Sequence, residues 1–449
     1  VNERIAIDGQ QLSDDDFVDT WDQIKDLVAM VDMKMEELDK PKMSFFEVLT
    51  AMAIWKFADA PVDVAIVEVG MGGRWDATNV LDADAAIIGP IDMDHMAWLG
   101  NTVEQIASEK VGIIKPGCTA VIGRQPHEEA VMPIIEEAAA ENHANLVRDD
   151  IEAEVVTRIP AVGGQVVTLR TPNGTYAEVP VAKFGEHQAH NALAALCAAE
   201  VVIPVNGALD GDFVAEALST VRIPGRIEQI RTSPTIILDG GHNVNAAESL
   251  RAAIEENYDF QQLVGVIAMM GDKQVEEYLG VLEPLLSHVI VTENSWRDRV
   301  MPAEDLKTVA ERVFGAERVT CVPELPDAIQ EAVNMVDADD ELGVGYGYGV
   351  LICGSFTTAG DARLMLEEKV NPDLKKPKSE RVFQEAVEPE PRKDQDEADL
   401  DFESDANPDF DINDFGSVGP DLAEDEDTDV SEDAANTEHA DDASSDDVR

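Results

Sequence analysis

The stretch Thr235-Ile236-Ile237-Leu238-Asp239-Gly240-Gly241-His242-Asn243 joins a short apolar run to a glycine-rich loop that carries polar side chains. A short, β-branched apolar run bounded by turn residues predicts a buried strand. The loop precedes a segment that predicts a helix from about residue 246. The stretch therefore predicts a strand–loop–helix unit of an α/β protein.

The segments downstream repeat this unit. Further apolar runs predict strands, and the segments around them predict helices. The strands are expected at 263–269, 288–292, 319–322 and 350–353, and the helices at about 246–256, 274–286, 303–313 and 325–336. Strand–helix alternation is typical of a parallel, doubly wound sheet. We therefore predict a Rossmann-like C-terminal domain over residues 221–371.

Residues 1–220 show a second α/β pattern, which follows a mostly helical start. The expected strands are Val62–Val67, Ala85–Ile91 and Ala120–Ile122, and the expected helices begin at Thr102, at Pro133 and near residue 187. Residues 151–184 interrupt this pattern with alternating runs and glycine turns, which predicts a β-hairpin insertion. We predict a second doubly wound domain here, incomplete at its N-terminal end.

The charge is strongly negative, −59 over 449 residues, and the last segment is the most acidic. Residues 384–449 hold 26 Asp and Glu against 3 Lys and Arg. A chain this acidic repels nucleic acid and anionic membranes, so neither is an expected partner. Residues 372–449 contain few large apolar side chains, which predicts a disordered acidic tail.

The four cysteines lie far apart and form no Cys-x-x-Cys pair, which argues against a zinc site or a disulfide framework. Free thiols are typical of a reducing cytosol. The sequence also shows neither a signal-peptide pattern nor an apolar run of the roughly 18 residues that a membrane span needs. A cytoplasmic location is expected.

Two polar residues follow the predicted strands of the first domain. Glu68 comes directly after Val62–Val67, and His95 comes shortly after Ala85–Ile91. In open α/β sheets, ligands bind beyond the carboxyl ends of the strands. A carboxylate and an imidazole at one sheet edge suit a divalent metal, although a cap and a structural histidine are the simpler interpretation of each residue alone.

Other candidates lie in loops and in one helix. The glycines of Gly70–Asn79 permit close backbone approach, and within this loop Arg74 and Asp76 could pair with each other or with a substrate carboxylate. Lys110 lies in a predicted helix, where a surface lysine is the simpler interpretation.

Three residues of the second domain are predicted to face a cleft between the domains, a common place for ligand sites. Asp239 and His242 follow the strand quoted above, and Arg226 belongs to the Pro224-Gly225-Arg226 turn that precedes it. An ordinary turn with a helix cap remains the alternative interpretation for each residue taken singly.

Several long motifs, in order, resemble the folylpolyglutamate synthase/dihydrofolate synthase family of the Mur ligase superfamily. The resemblance spans about residues 1–370. Its motifs are Val67–Val80, Asp94-His95 with Leu99–Thr102, Ile106–Lys115, His187-Gln188 with Asn191-Ala192, Pro224–Arg226, Asp239–Asn243, Met270–Lys273 and Gly354-Ser355.

The resemblance implies an ATP-driven ligase that adds L-glutamate to dihydropteroate or a folate through an acyl phosphate. It implies that Glu68 and His95 bind Mg²⁺ and that Lys110 becomes carbamylated beside the metal. It also places Asn191 near the nucleotide, and Arg226, Asp239 and His242 at the ATP and interdomain site. Lys110, Asp239 and His242 are the expected catalytic residues, and a monomer is expected.

One element of the family is absent from this sequence. No Gly-Lys-Ser/Thr phosphate loop occurs in the chain, although the resemblance implies one upstream of the segment matched by Val1–Ile5. We therefore expect a missing N-terminal segment, and weak ATP binding with no ligation by the chain as written. Two alternatives stay open: a remnant that binds a folate or a partner without turnover, and a peptidoglycan ligase of the Mur type.

Overall fold

The computed structural model describes residues 2–94, 96–205, 207–339 and 347–366. His95 and the acidic tail predicted for 372–449 lie outside these ranges. Within them, residues 23–44 form a compact unit of their own, and the other described residues form a second unit. No helix in the described part of the chain is long and apolar enough to cross a membrane.

The N-terminal residues are mainly helical, as predicted. The elements are β1 (Ala6–Ile7), β2 (Gln10–Gln11), α1 (Asp14–Glu37) and α2 (Phe45–Asp59), after a 3₁₀ turn at Asn2–Arg4. Ser13 caps α1, since its Oγ accepts from the backbone N–H of Asp16 at 3.1 Å. Three aspartates in the first turn complement the positive end of the helix dipole.

A three-stranded parallel sheet, in the order β3-β4-β5, forms the centre of the next segment. Its elements are β3 (Ala85–Ile88), α3 (Met96–Leu99), α4 (Val103–Lys110), β4 (Thr119–Ile122), α5 (Glu128–Glu141) and β5 (Asn145–Arg148). Thr102 caps α4, as the sequence predicts. Strand β5 is an addition to the predicted pattern, and α5 begins five residues before Pro133.

The predicted strand Val62–Val67 is wrong. Residues 62–69 form no regular element, and Ile66 is 92% exposed. Within the described residues β3 pairs only with β4. An apolar run becomes a strand only where a neighbouring strand accepts its backbone hydrogen bonds, and no described strand does so here.

The insertion is an antiparallel sheet of three strands rather than a single hairpin. Its strands are β6 (Glu154–Ala161), β7 (Gly164–Arg170) and β8 (Thr175–Val181), and the chain continues through α6 (Glu186–Val202) and α7 (Gly211–Thr220). The turns at Gly163-Gly164 and Pro172–Gly174 lie where the sequence predicts them. Apolar residues of this sheet, of α6 and of α7 share one core.

Glu200 of α6 organises a buried polar network beneath this sheet. Its Oε1 accepts from Tyr176 Oη at 2.6 Å and from Thr171 Oγ1 at 3.0 Å, and its Oε2 accepts from Asn173 Nδ2 at 3.0 Å. Burial, with the hydrogen bond to Glu200, raises the pKa of Tyr176 to about 12. A single carboxylate therefore satisfies three donors of the β7–β8 turn and of β8.

We expect Glu200→Ala to lower the free energy of unfolding by about 3 kcal/mol, because three donors lose their acceptor in a buried site. Glu200→Gln should cost less, since one oxygen remains. Thermal unfolding followed by circular dichroism measures the change. Glu137→Ala, at an exposed position of α5, is the control and should shift the transition by no more than about 0.5 kcal/mol in free energy. Equal shifts for Glu200→Ala and the control would contradict the proposed network.

The rest of the described chain forms a six-stranded sheet and the helices that pack on it. The strand order is β13-β12-β11-β14-β10-β9. Its strands are β9 (Glu228–Thr232), β10 (Thr235–Leu238), β11 (Gln262–Ile267), β12 (His288–Glu293), β13 (Val319–Glu324) and β14 (Tyr348–Cys353). Its helices are α8 (Val244–Asn257), α9 (Val275–Leu282), α10 (Ala303–Phe314), α11 (Leu325–Asp339) and α12 (Phe356–Leu366).

Helices cover both faces of this sheet, which confirms the predicted doubly wound fold. One core packs α8, α9 and α10 against one face, and a second packs α11 and α12 against the other. The five predicted strands are present and mutually parallel. Strand β9, an antiparallel edge strand, was not predicted from the sequence, and α9 ends four residues before its predicted C-terminal end.

Candidate active site

The Gly70–Asn79 loop packs directly on the C-terminal end of α4. Arg74 N donates to Glu109 O at 2.9 Å. A Cβ on Gly73 would lie 2.7 Å from Glu109 O and 2.9 Å from Lys110 O, so only glycine permits this approach. Close contact between two backbones therefore fixes the loop beside Lys110.

Arg74 and Asp76 contact other residues of the described structure rather than each other. Asp76 accepts from Met71 N at 2.9 Å and caps the 3₁₀ turn Ala77–Val80 through Thr78. Arg74 donates to Ser108 O at 3.4 Å. Asp76 thus shapes the loop, and Arg74 extends along α4.

Lys110 ends α4 and is half-buried. Burial lowers the pKa of its ammonium, while the nearby Asp94 carboxylate acts in the opposite direction. Desolvation disfavours the charged form of a lysine, so a larger share of Lys110 is the neutral amine than for a lysine on the surface.

Asp94 lies at the centre of a cluster that joins the loop after β3 to two loops of the six-stranded sheet. Its Oδ1 is 2.7 Å from Lys273 Nζ, and its Oδ2 is 3.5 Å from His242 Nε2. The Lys273 side chain is only 11% exposed. We call Asp94, Lys273 and His242, with the neighbouring Lys110, the Asp94 cluster. It includes the predicted residue His242, and the charge of its Asp94 carboxylate also acts on the predicted residue Lys110.

A second group of predicted residues lies on two loops that hydrogen bonds tie together. Asp239, 6% exposed, accepts from Ile227 N at 3.0 Å and from Gly241 N at 2.8 Å. Burial raises the pKa of Asp239, and these two N–H donors oppose the rise. Asp239 therefore fixes the turn that presents Arg226, whose guanidinium carbon lies 4.2 Å from the centroid of the Phe356 ring.

The start of α6 carries the other predicted residue. Asn191 is exposed, with its Nδ2 3.5 Å from Gln188 Oε1. One turn earlier, burial and the charge of Arg226 lower the pKa of His187 to about 4. His187 is therefore neutral at pH 7 and can serve as a donor or an acceptor near Arg226.

Comparison with known proteins identifies two matching domain families in this chain. The Mur ligase middle domain matches residues 21–199, and the Mur ligase glutamate ligase domain matches residues 225–356. The dihydrofolate synthase/folylpolyglutamate synthase of Mycobacterium tuberculosis is 43% identical over 379 residues, covering 81% of this chain and 77% of that protein.

The chain belongs to the folylpolyglutamate synthase/dihydrofolate synthase family of Mur ligases.

Solved structures show the same family relationship. Mycobacterium tuberculosis folylpolyglutamate synthase complexed with ADP and AMPPCP matches with a TM-score of 0.76 and 43% identity, over 81% of this chain and 82% of that one. E. coli FolC in complex with DHPP and ADP matches with a TM-score of 0.67 and 26% identity, over 82% and 79%.

The magnesium ligands implied by the family are only partly described. His95 lies outside the described residues, and Glu68 is exposed on the irregular segment after residue 62. The described residues contain no group of three His, Cys, Asp or Glu side chains arranged to hold a metal. Mg²⁺ commonly uses one or two carboxylates together with water and substrate phosphates, so an exposed Glu68 fits such a site.

Three residues of the site received no role in the sequence analysis. Asp94 precedes His95, Lys273 ends the Met270–Lys273 motif, and Phe356 follows Gly354-Ser355. Each lies shortly after a strand of a parallel sheet, which is the signal that could have identified it. Their contacts to other loops were not predictable from their own segments.

Proposed function

We propose that this protein is an ATP-dependent ligase that joins L-glutamate to dihydropteroate or to a folate. Family membership supports the reaction type, and the matched Mycobacterium tuberculosis and E. coli structures contain ADP. The observation that carries the proposal is the Asp94 cluster, in which cationic and anionic side chains from separate sheets meet.

The proposed reaction has two steps. A carboxylate oxygen of the pteridine substrate attacks the γ-phosphorus of ATP, the bond to ADP breaks, and an acyl phosphate forms. The amino nitrogen of glutamate then attacks the acyl carbon, phosphate leaves, and the nitrogen loses its proton to solvent. Both steps concentrate negative charge, so catalysis depends mainly on positioning and charge neutralisation.

The side chains of the site have separate proposed tasks. Arg226 offers in-plane N–H donors to an anion, and Asn191 lies near the nucleotide. His242 and Lys273 lie at the Asp94 cluster, where they neutralise developing negative charge. Asp239 holds the Arg226 turn in place through two backbone N–H groups. A closed cleft would also exclude water from the acyl phosphate.

Magnesium is the proposed cofactor beside ATP, with Glu68 and His95 as its protein ligands. When bound, it neutralises phosphate charge. Lys110 would contribute as a carbamate, which forms when its neutral amine nitrogen bonds to the carbon of CO₂ and loses a proton. The lowered pKa of Lys110 favours the neutral amine that this reaction requires.

Three further properties belong to this proposal. We propose a domain boundary near residue 221, between the end of α7 at Thr220 and the start of the six-stranded sheet at Glu228. A cytoplasmic location and a monomeric state are expected. The assay below distinguishes whether the acceptor is dihydropteroate, a folate or both.

The test measures phosphate release from ATP with L-glutamate and one acceptor at a time: dihydropteroate, tetrahydrofolate or a UDP-linked muramyl peptide. In a chain with a Gly-Lys-Ser/Thr phosphate loop restored upstream of Val1, we expect release to require ATP, glutamate and one of the two pteridines. The chain as written should release little phosphate. His242→Gln is the inactive control. Release with the muramyl peptide alone would identify a peptidoglycan ligase. Pteridine binding without phosphate release would identify a non-catalytic protein.

A further inference from the structure

Phe356 is a half-exposed aromatic residue at a junction of three functional loops. It is the first residue of α12 and follows the Gly354-Ser355 segment after β14. Its side chain is 47% exposed, which is unusual for a phenylalanine in such close contact with neighbours. We propose that Phe356 is a positioning residue that aligns Arg226 and His242 for anion binding, which deepens the proposed function and rests on it.

The first observation is the contact with Arg226. The guanidinium carbon lies 4.2 Å from the ring centroid, within the distance of a cation–π interaction. The face of a guanidinium stacks on a ring while its N–H groups point outward in the plane. In the described part of the chain Arg226 makes no hydrogen bond or ion pair. Stacking thus fixes its orientation and leaves its donors open to a phosphate or carboxylate.

The second observation is the contact with His242. The two ring centroids are 6.0 Å apart at an interplanar angle of 62°, an edge-to-face arrangement. His242 Nδ1 also lies 3.3 Å from Gly240 O, and its Nε2 lies 3.5 Å from Asp94 Oδ2. The Phe356 ring therefore adds a lateral contact to an imidazole already held between two oxygen atoms.

The third observation concerns Gly240, which lies between these residues in the chain. A Cβ at Gly240 would lie 2.5 Å from Phe356 Cδ1 and 2.7 Å from Cε1, so the ring occupies the space of a side chain there. Gly240 N also donates to Gly225 O at 2.7 Å. The ring is thus packed on the junction of the Arg226 turn and the His242 loop.

The experiment compares Phe356→Leu with Phe356→Tyr, which retains the aromatic ring. Phe213→Leu is the matched control, since Phe213 also lies near the start of a helix and is 56% exposed. ADP titration measures anion binding, and the imidazole ¹H–¹³C resonance of His242, assigned with His242→Gln, reports the ring current of Phe356. Thermal unfolding verifies that each variant is folded.

We expect Phe356→Leu to weaken ADP binding about fivefold to thirtyfold and to shift the His242 resonance. Phe356→Tyr should retain both properties, and Phe213→Leu should change neither. In an Arg226→Ala background, Phe356→Leu should weaken ADP binding no further, because the ring acts through Arg226.

Two results would overturn the inference: an unchanged His242 resonance in Phe356→Leu, or an equal loss of ADP affinity in the Arg226→Ala background. If neither the chain as written nor a chain with the phosphate loop restored upstream of Val1 binds ADP, the proposed function fails. The resonance of His242 then decides the inference alone, since a shift supports the positioning role and its absence contradicts it.

Discussion

Replacement of Lys110 by alanine is expected to reduce kcat for glutamate ligation on the order of 10³-fold. Lys110 is half-buried at the end of α4, directly beneath the glycine-rich loop and near Asp94. If its amine is carbamylated, as we propose, alanine removes a fixed anion from a site where charges must be placed before reaction. Lys110→Arg should be equally inactive, because a guanidinium retains the positive charge and forms no carbamate.

Detection of the carbamate on Lys110 is the decisive measurement. Removal of CO₂ from the buffer should lower the activity of the unsubstituted protein reversibly, and ¹³C-labelled bicarbonate should give a carbamate resonance that Lys110→Ala lacks. Acetate should restore part of the activity of Lys110→Ala. Lys307→Ala, at a half-buried lysine of α10, is the control and should retain full activity. An active Lys110→Arg variant would contradict the carbamate role.

Loss of the Lys273–Asp94 ion pair is expected to lower kcat/KM about 10²-fold. Nζ and Oδ1 lie 2.7 Å apart, and the lysine is 11% exposed, so substitution of Asp94 removes this partner from a poorly solvated ammonium. The pair also joins the loop after β3 to the loop that precedes α9. Its loss should therefore weaken the alignment of His242 with the rest of the cluster.

A double-mutant cycle of Asp94→Asn and Lys273→Met measures this coupling. We expect the double variant to be no slower than the slower single variant, because both substitutions remove the same ion pair.

The Arg158–Glu256 pair is the control. It joins β6 to α8, with Arg158 Nη1 donating to Glu256 Oε2 at 2.8 Å. Arg158→Gln should lower thermal stability and leave kcat/KM within about threefold. Fully additive losses at Asp94 and Lys273 would show that the residues act separately.

The strand–helix alternation of residues 235–353 was sufficient to predict the doubly wound sheet, because each predicted strand has a buried apolar run of its own. Turn and cap residues were equally informative. Thr102 caps α4 where the sequence predicts that a helix begins, since its side chain accepts from a backbone N–H within its own turn.

The tertiary structure alone decided those features that depend on contacts between residues far apart in the sequence. Val62–Val67 has the composition of a strand, yet no described strand pairs with it, and composition carries no information about which strands lie beside a segment. The sequence allowed Asp76 to pair with Arg74, whereas its contacts in the structure are those of a loop cap. The strand ends alone identified Asp239 and His242 as candidates. Two contacts follow only from the packing of the loops. Asp94 contacts Lys273, which is 179 positions away in the chain, and the Arg226 guanidinium lies over the Phe356 ring. No local signal in the sequence encodes a contact between remote segments.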